Sequence, residues 1–568
     1  MAGGLLDRAQ PGGLVMEEKM LVEAEGKSPT ETLDLQTRMQ ETWAGTRPVN
    51  EPSYPHFAPE YKIPFLHIGQ EKQLFLDNFI LDHLDDVVRQ VQTPQRSGEP
   101  ILEVGDLPWE GHHNPIPSGL VHDPDDGKFK LWYVQSLTGD PFNTGQVLCY
   151  AESTDCLHWQ KPLSKRCLPY QGHVATNIVQ QDTNAVTVVL NHDRSDPERK
   201  FLMLYCPSAQ AKGRGQRTNS SVAISPDGLQ WRVISDDSSF RHHHEVRILW
   251  DAEIQKWVAF SQYSHHWNFL HRKRQIGRQE SSDFIHWSPK EVVLSVDWDG
   301  NLPPNLEFHE MSARKVGSLY IGITGEFMGE PLWQVRNGHN WRDHAHVRLG
   351  LYNSRDGKRW QRAIGPEAWV ENGPSGSMDY GYVCYTPSGM MEHAGKTYIP
   401  YMAGPEKQSW FWTTPPTPVV PEEDFARGKA AWERVGAAMP EGRTNKRSVG
   451  ALLLREDGWA AMRPHTEHGQ VITRQFVFEG DALRINAESS GGYVQVEVLD
   501  PYFKPYPGFS SAECLPIHGA KPSQVWHEVV WRDTSGERSD LRQLWNQPCR
   551  LRIELHQATL YAFQFTSS

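Results

Sequence analysis

A seven-residue pattern, Ser-x-Asp-x-x-x-Trp, occurs four times in this chain, at Ser153/Asp155/Trp159, Ser225/Asp227/Trp231, Ser281/Asp283/Trp287 and Ser354/Asp356/Trp360. A degenerate fifth copy, Ala426/Gly428/Trp432, keeps the spacing, and successive tryptophans stand 72, 56, 73 and 72 residues apart. That period is too long for a WD40 blade and suits a unit of four strands with generous loops. Five units predict a five-bladed β-propeller. Each copy follows a short apolar run such as 147–150, 222–224 or 347–352. The aspartate can therefore cap a tight turn while the tryptophan packs between neighbouring units, which makes the motif structural rather than catalytic.

Composition agrees with an all-β class. The 568 residues are too many for one core, and 46 Gly, 40 Pro and 21 Trp speak for turns and aromatic packing rather than long helices. The net charge of −13 comes without a Lys/Arg-rich run, so neither nucleic acid nor a membrane surface is expected as a partner. No apolar stretch reaches the length of a membrane span and the first 20 residues lack a signal-peptide core, which predicts a cytoplasmic protein. The seven cysteines are scattered, with no CxxC pair, and are expected as buried free thiols.

Residues 1–50 are polar and weakly periodic and are expected to be a partly disordered extension. Residues 51–440 hold the repeats. From 441 to 568 the pattern turns to alternation, with Val494, Val496, Val498, then Leu551, Ile553, Leu555, then Tyr561, Phe563, Phe565. Period-two alternation between turn signals predicts a C-terminal β-sandwich.

In a propeller the first strand of each blade lines the central channel, so its leading residues converge at one mouth. The polar clusters that open the repeats contain Glu110, Glu245, Glu307, Glu310 and Asp379. They lie 49, 42, 53, 50 and 53 residues ahead of their respective tryptophans, a comparable height in each unit. Glycoside cleavage needs two carboxyl groups, one to protonate the leaving oxygen and one to attack or to activate water. Asp379 lies among small residues in Gly376-Ser-Met-Asp-Tyr-Gly381 and would bind a sugar hydroxyl or stabilise a transition state. His113, Asn114, His173, Asn177, His244, Glu307, His309, Glu310 and Tyr380 are candidate substrate ligands, with Trp109 and Trp267 as stacking faces.

The histidine clusters His112-His113, His242-His243-His244 and His265-His266 raise the question of a metal. Adjacent residues on a regular strand face opposite ways, so each cluster offers only alternate ligands inward. No cofactor or catalytic metal is therefore assigned, with a structural cation in the channel as the open alternative.

The ordered set Gln73-Leu-Phe-Leu-Asp77, Pro108-Trp-Glu110, the four turns and Arg455-Glu-Asp-Gly-Trp459 resembles bacterial proteins similar to family 32 glycoside hydrolases, over roughly residues 70–568. The resemblance implies the propeller and sandwich of the β-fructosidase and arabinanase superfamily, with an acidic pocket on the axis. By blade position it implies Glu110 as base or nucleophile and Glu245 as proton donor. The Trp-Met-Asn-Asp-Pro and Glu-Cys motifs of invertases are absent, and Arg194-Ser-Asp196-Pro197 matches their Arg-Asp-Pro motif only with an inserted residue, in the setting of an inter-strand turn.

The function expected is thus an exo-acting glycoside hydrolase for a furanoside or related sugar. Two alternatives stand beside it. In a glycoside phosphorylase the His242-His243-His244 run with Arg241 and Arg247 would hold phosphate. In a non-catalytic carbohydrate-binding protein the fold would remain without the chemistry.

Overall fold

In this computed structural model the residues described are 65–111, 115–137, 146–207, 219–241, 245–264, 274–303, 306–328, 346–405, 447–519, 525–533 and 535–567. The expected N-terminal extension, the fifth motif copy at 426–432, and His113, Asn114, His244 and Trp267 lie outside them. Residues 64–568 pack as one compact unit. Among the described residues the structure is almost all β, with a few short 3-10 turns and no α-helix, as the composition predicts.

Five antiparallel groups follow in chain order. The first comprises Ile116–His122, Phe129–Ser136, Gln146–Ser153 and Ile178–Gln180. The second comprises Thr183–Leu190, Phe201–Pro207, Asn219–Ser225 and Arg232–Arg241. The third is Val246–Asp251, Lys256–Ser264, Arg274–Ser281 and Glu291–Leu294. The fourth begins with Leu306–Val316, Leu319–Met328 and His346–Ser354. It meets the fifth through one parallel pair, Val347 with Tyr382. The fifth takes strands from distant parts of the chain: Tyr382–Cys384, Lys396–Gly404, Ser448–Arg455 and, on the far edge, Gln95–Arg96.

The four complete motifs fold alike. In each, the serine hydroxyl donates to the aspartate Oδ1 at 3.0–3.1 Å. That same oxygen accepts two backbone N–H groups further along the turn, for example Ile285 at 2.9 Å and His286 at 2.8 Å. The residue after the aspartate takes a positive φ: Cys156 63°, Gly228 79°, Phe284 71°, Gly357 67°. The tryptophan Nε1 then donates to that residue's carbonyl at 3.0–3.2 Å. Three of the indoles contact an aromatic ring of the preceding group, Trp231 against Trp132, Trp287 against Phe240 and Trp360 against Phe260. The motif is a self-contained turn that also joins one group to the next.

Gly228 shows how tight that joint is. A Cβ there would stand 2.4 Å from Cζ2 of Trp132, whose own Nε1 donates to the Gly228 carbonyl at 2.9 Å. Gly228→Ala is expected to cost about 3 kcal/mol in chemical denaturation, combining left-handed backbone strain with a clash in a fixed aromatic contact. A cost under about 1 kcal/mol would mean that Trp132 is free to move.

Leading strands pack on leading strands: Ile116–His122 on Thr183–Leu190, that on Val246–Asp251, and that on Leu306–Val316. Ser388, beyond the leading strand of the fifth group, ties several together. Its carbonyl accepts from Leu120 N at 2.9 Å, and its hydroxyl bonds Thr187 Oγ1 at 2.6 Å and Ile248 N at 2.9 Å. At the C-terminal ends of these strands all five groups line one cavity of about 400 Å³, including Leu120, Val189, Trp250, Lys315 and Met390.

A buried ion cluster fastens the first two groups. Asp123 receives Lys130 Nζ at 2.7 Å and Lys200 Nζ at 2.6 Å. Burial by itself would push its carboxyl up, but the hydrogen bonds from both lysines and from Asp125 N outweigh it and hold it at about 2. The folded value lies below the unfolded one, so this stabilisation is present above about pH 4 and is lost as pH falls through about 2. Asp123→Asn is expected to lower the thermal midpoint at pH 7 and to narrow that deficit near pH 2. An equal deficit at both pH values would contradict the ion-pair account.

Among the described residues, Gln361–Arg362 and Met391–His393 add short strands to the fourth and fifth groups, and the rest form a six-stranded and a five-stranded sheet, with a two-stranded pair of Leu66–Gly69 and Phe476–Phe478. Val494, Val496, Val498, Leu551, Ile553 and Leu555 all point inward, as their alternation predicts. Leu81–Asp85 pairs with His468–Thr473, and Val87–Val91 with Ala460–Pro464. The N-terminal strands thus belong to the C-terminal sheets, while Ser448–Arg455 belongs to the fifth repeat group. All seven cysteines are free thiols, and six are buried.

Candidate active site

Arg247, on the leading strand Val246–Asp251, is only 1% exposed and reaches three groups at once. Its Nε donates to Thr386 O at 2.6 Å in the fifth and its Nη2 to Pro117 O at 3.2 Å in the first. Its Nη1 donates to Val246 O at 2.8 Å and to Glu245 Oε2 at 2.9 Å in the third. The guanidinium therefore sits where the leading strands meet, with Glu245 held against it.

The fourth group contributes through a β-bulge. Phe308 faces Glu326 and Met311 faces Thr324, so three steps on one strand answer two on its partner. A bulge re-aims side chains, and here it sends two successive residues, His309 and Glu310, into the same buried cluster with Nδ1 3.2 Å from Oε2. Glu310 Oε1 accepts Tyr385 N at 2.7 Å, and Cys384 Sγ lies 3.1 Å from each carboxylate oxygen. Tyr385 takes φ 54°, costly for an aromatic residue, and its hydroxyl lies 3.4 Å from His309 Nε2. Gly325 leaves room behind the cluster, because a Cβ there would approach both Glu310 oxygens to 2.6 Å. Glu307 and Arg274, both buried, are 3.7 Å apart nearby.

The electrostatics follow from burial. Burial pushes the Glu245 carboxyl up, Arg247 opposes it, and the charge of Glu310 adds to the rise. Glu310 is likewise raised by burial, against Cys384, the Tyr385 amide, Arg247 and Arg274. Burial also drives the Cys384 thiol well up, so it is protonated at neutral pH. Two carboxyls of raised pKa around one guanidinium can hold and hand over a proton.

Among the residues singled out from the sequence, His309 and Glu310 share one cluster, Glu245 is bonded to Arg247 and feels the charge of Glu310, and Glu307 faces Arg274. Glu110 and Asp379 find other partners. Glu110 is held by Lys161 Nζ at 2.7 Å, Tyr133 Oη at 2.8 Å and Gly105 N at 3.2 Å. Burial raises its carboxyl, countered by Lys161. Asn177 belongs to the same network, with Trp109 Nε1 donating to it at 3.0 Å and its own amide donating to Tyr133 Oη and Tyr150 O. Asp379 accepts from Ser377 at 2.8 Å and Tyr401 at 3.0 Å and is paired with Arg96 at 3.1 Å. His173 and Tyr380 are exposed. Asp196 of the Arg-Ser-Asp-Pro segment caps an exposed 3-10 turn between two strands, as its setting suggested. Cys384, Tyr385 and Arg274 were not picked out from the sequence.

No family profile and no curated protein matches the chain. Solved structures similar to it include a glycoside hydrolase (13% identity, 64% of this chain and 93% of that one, TM-score 0.39) and a family 32 β-fructofuranosidase from Bombyx mori (12%, 83% and 95%, 0.37). An exo-inulinase from Aspergillus awamori is a third (11%, 83% and 99%, 0.35).

Proposed function

We propose that the chain is a glycoside hydrolase built as a five-bladed β-propeller with a β-sandwich, its active site at the axis around Glu245 and Glu310. In this reading the five antiparallel groups are the blades. The fifth is completed by Gln95–Arg96 and Ser448–Arg455, and the sandwich recruits the strands between Leu66 and Val91. The observation that carries the reading is that Glu245, bonded to Arg247, and Glu310, from a separate blade, are both buried and close enough for the charge of Glu310 to raise the Glu245 carboxyl.

Glu245 protonates the leaving glycosidic oxygen, its carboxyl pushed up by burial and by the charge of Glu310. Glu310, fixed by the Tyr385 amide, is the second carboxyl of the pair. Glu110 with Lys161 and Asp379 with Arg96 are read as ion pairs that hold the first and fifth blades. The substrate is a furanoside or related sugar attacked from a chain end.

Arg247 commits four of its five N–H donors to three backbone carbonyls and Glu245, which favours hydrolysis over a phosphorylase, while His242, His243 and His244 lie outside the described residues. Incubation with aryl furanosides, aryl pyranosides and natural oligosaccharides is expected to release sugar at a rate independent of added phosphate. Release only with phosphate would identify a phosphorylase, and binding without release would identify a carbohydrate-binding protein.

A further inference from the structure

The cluster at the bulge has the composition of a metal site. Three ligand types, an imidazole nitrogen, a carboxylate oxygen and a cysteine sulfur, are offered by His309, Glu310 and Cys384 within 4.8 Å of one another, all buried. His309 Nδ1 stands 3.2 Å from Glu310 Oε2, and Cys384 Sγ stands 3.1 Å from that same oxygen. Tetrahedral zinc with Zn–N and Zn–O near 2.0 Å and Zn–S near 2.3 Å sets these ligand atoms about 3.3–3.5 Å apart. The two pairs that share Glu310 Oε2 need open by only a few tenths of an ångström, and the histidine nitrogen and cysteine sulfur lie within 4.8 Å of each other.

The supporting contacts divide the labour as a metal site requires. The Tyr385 amide occupies Glu310 Oε1 at 2.7 Å, leaving Oε2 to face the other two ligands. The Tyr385 hydroxyl sits 3.4 Å from His309 Nε2, where it orients the ring and presents Nδ1 to the cluster. Both roles fall on a residue held at φ 54°.

We propose that His309, Glu310 and Cys384 bind a divalent cation of the zinc class, with the fourth position left to water or a sugar hydroxyl. On binding, the Cys384 S–H bond breaks, the sulfur keeps the electron pair and bonds to the metal, and the proton leaves to solvent. Three protein ligands and one open position are the pattern of catalytic rather than structural zinc. With the ion bound, Glu310 would serve as its ligand and the oxygen held at the fourth position would take over the part assigned above to the second carboxyl. The cation-binding claim rests on the cluster itself and does not depend on the identity of the sugar.

The test uses the full-length protein, with the half-exposed Cys206 changed to Ser to remove a competing thiol. Metal content after purification is read by mass spectrometry, and the chelator-treated protein is titrated with Co²⁺ without substrate. The expected result is close to one ion per chain and a thiolate-to-cobalt charge-transfer band that Zn²⁺ displaces. Cys384→Ser should abolish the band, and His309→Gln should weaken binding at least about tenfold. Circular dichroism identifies a variant that has failed to fold, and the other then carries the test. Metal well below one per chain with no Cys384-dependent band would overturn the proposal, as would a band that survives Cys384→Ser. Since no sugar is present, such a failure is distinct from a failed turnover assay.

Discussion

Glu245→Gln is expected to lower kcat/KM by about a hundredfold or more while leaving the protein folded. The side chain keeps its shape and still offers an oxygen to Arg247 Nη1, now 2.9 Å from Oε2. Arg247 retains the carbonyls of Thr386, Val246 and Pro117, so loss of one charge-assisted bond should cost stability only about 1–3 kcal/mol. The proton to be delivered is gone. Glu110→Gln supplies the contrast: it removes the charge that Lys161 pairs with and should lower the unfolding midpoint, with turnover changing by less than about tenfold. Initial rates and denaturation midpoints on the two variants check both halves. Equal losses of turnover would return Glu110 to the chemistry.

Arg247→Met is expected to be the most destabilising of these substitutions, by about 3–5 kcal/mol in equilibrium denaturation. The cost has two sources. Glu245 is left buried without its counter-charge, and carbonyls from three repeat groups lose their donor together. Arg247→Lys should recover little, because one ammonium cannot reproduce the planar spread of Nε, Nη1 and Nη2 toward separate strands. Combining Arg247→Met with Glu245→Gln should be less damaging than the sum of the two, since the stranded charge is removed. An additive double variant would show that the two side chains act independently.

The repeated turns were fully legible in the sequence because their chemistry is local. Serine, aspartate and tryptophan bond within a few residues of themselves, so spacing alone carries the geometry. Strand partnership was less legible. Period-two alternation reports which face is buried and not which strand lies alongside. Nothing local could reveal that Gln95–Arg96 pairs with Ser448–Arg455, or that Val87–Val91 joins the C-terminal sheets.

The site divides the same way. Counting back from each tryptophan gathered Glu245, Glu307 and Glu310, of which Glu245 lies close enough to Glu310 to feel its charge. The same count gave Glu110 and Asp379, whose carboxylates are taken up by Lys161 and Arg96 from distant segments. The bulge at 309–310 defeats the rule that neighbours on a strand face apart, and Cys384 reads in isolation as one more small buried residue. A sign legible in the sequence is the histidine and glutamate side by side at 309 and 310 on a leading strand, an expensive pair to bury.

The central claim is that sugar binds at the axis beside Glu245 and Glu310, and a crystal structure of Glu245→Gln soaked with the best substrate from the panel tests it most directly. The account predicts an intact glycosidic oxygen within about 3.2 Å of the side chain at position 245, with Glu310 on the same ring. Sugar seated instead against Glu110, against Asp379 or in the cavity at the opposite ends of the leading strands would contradict it.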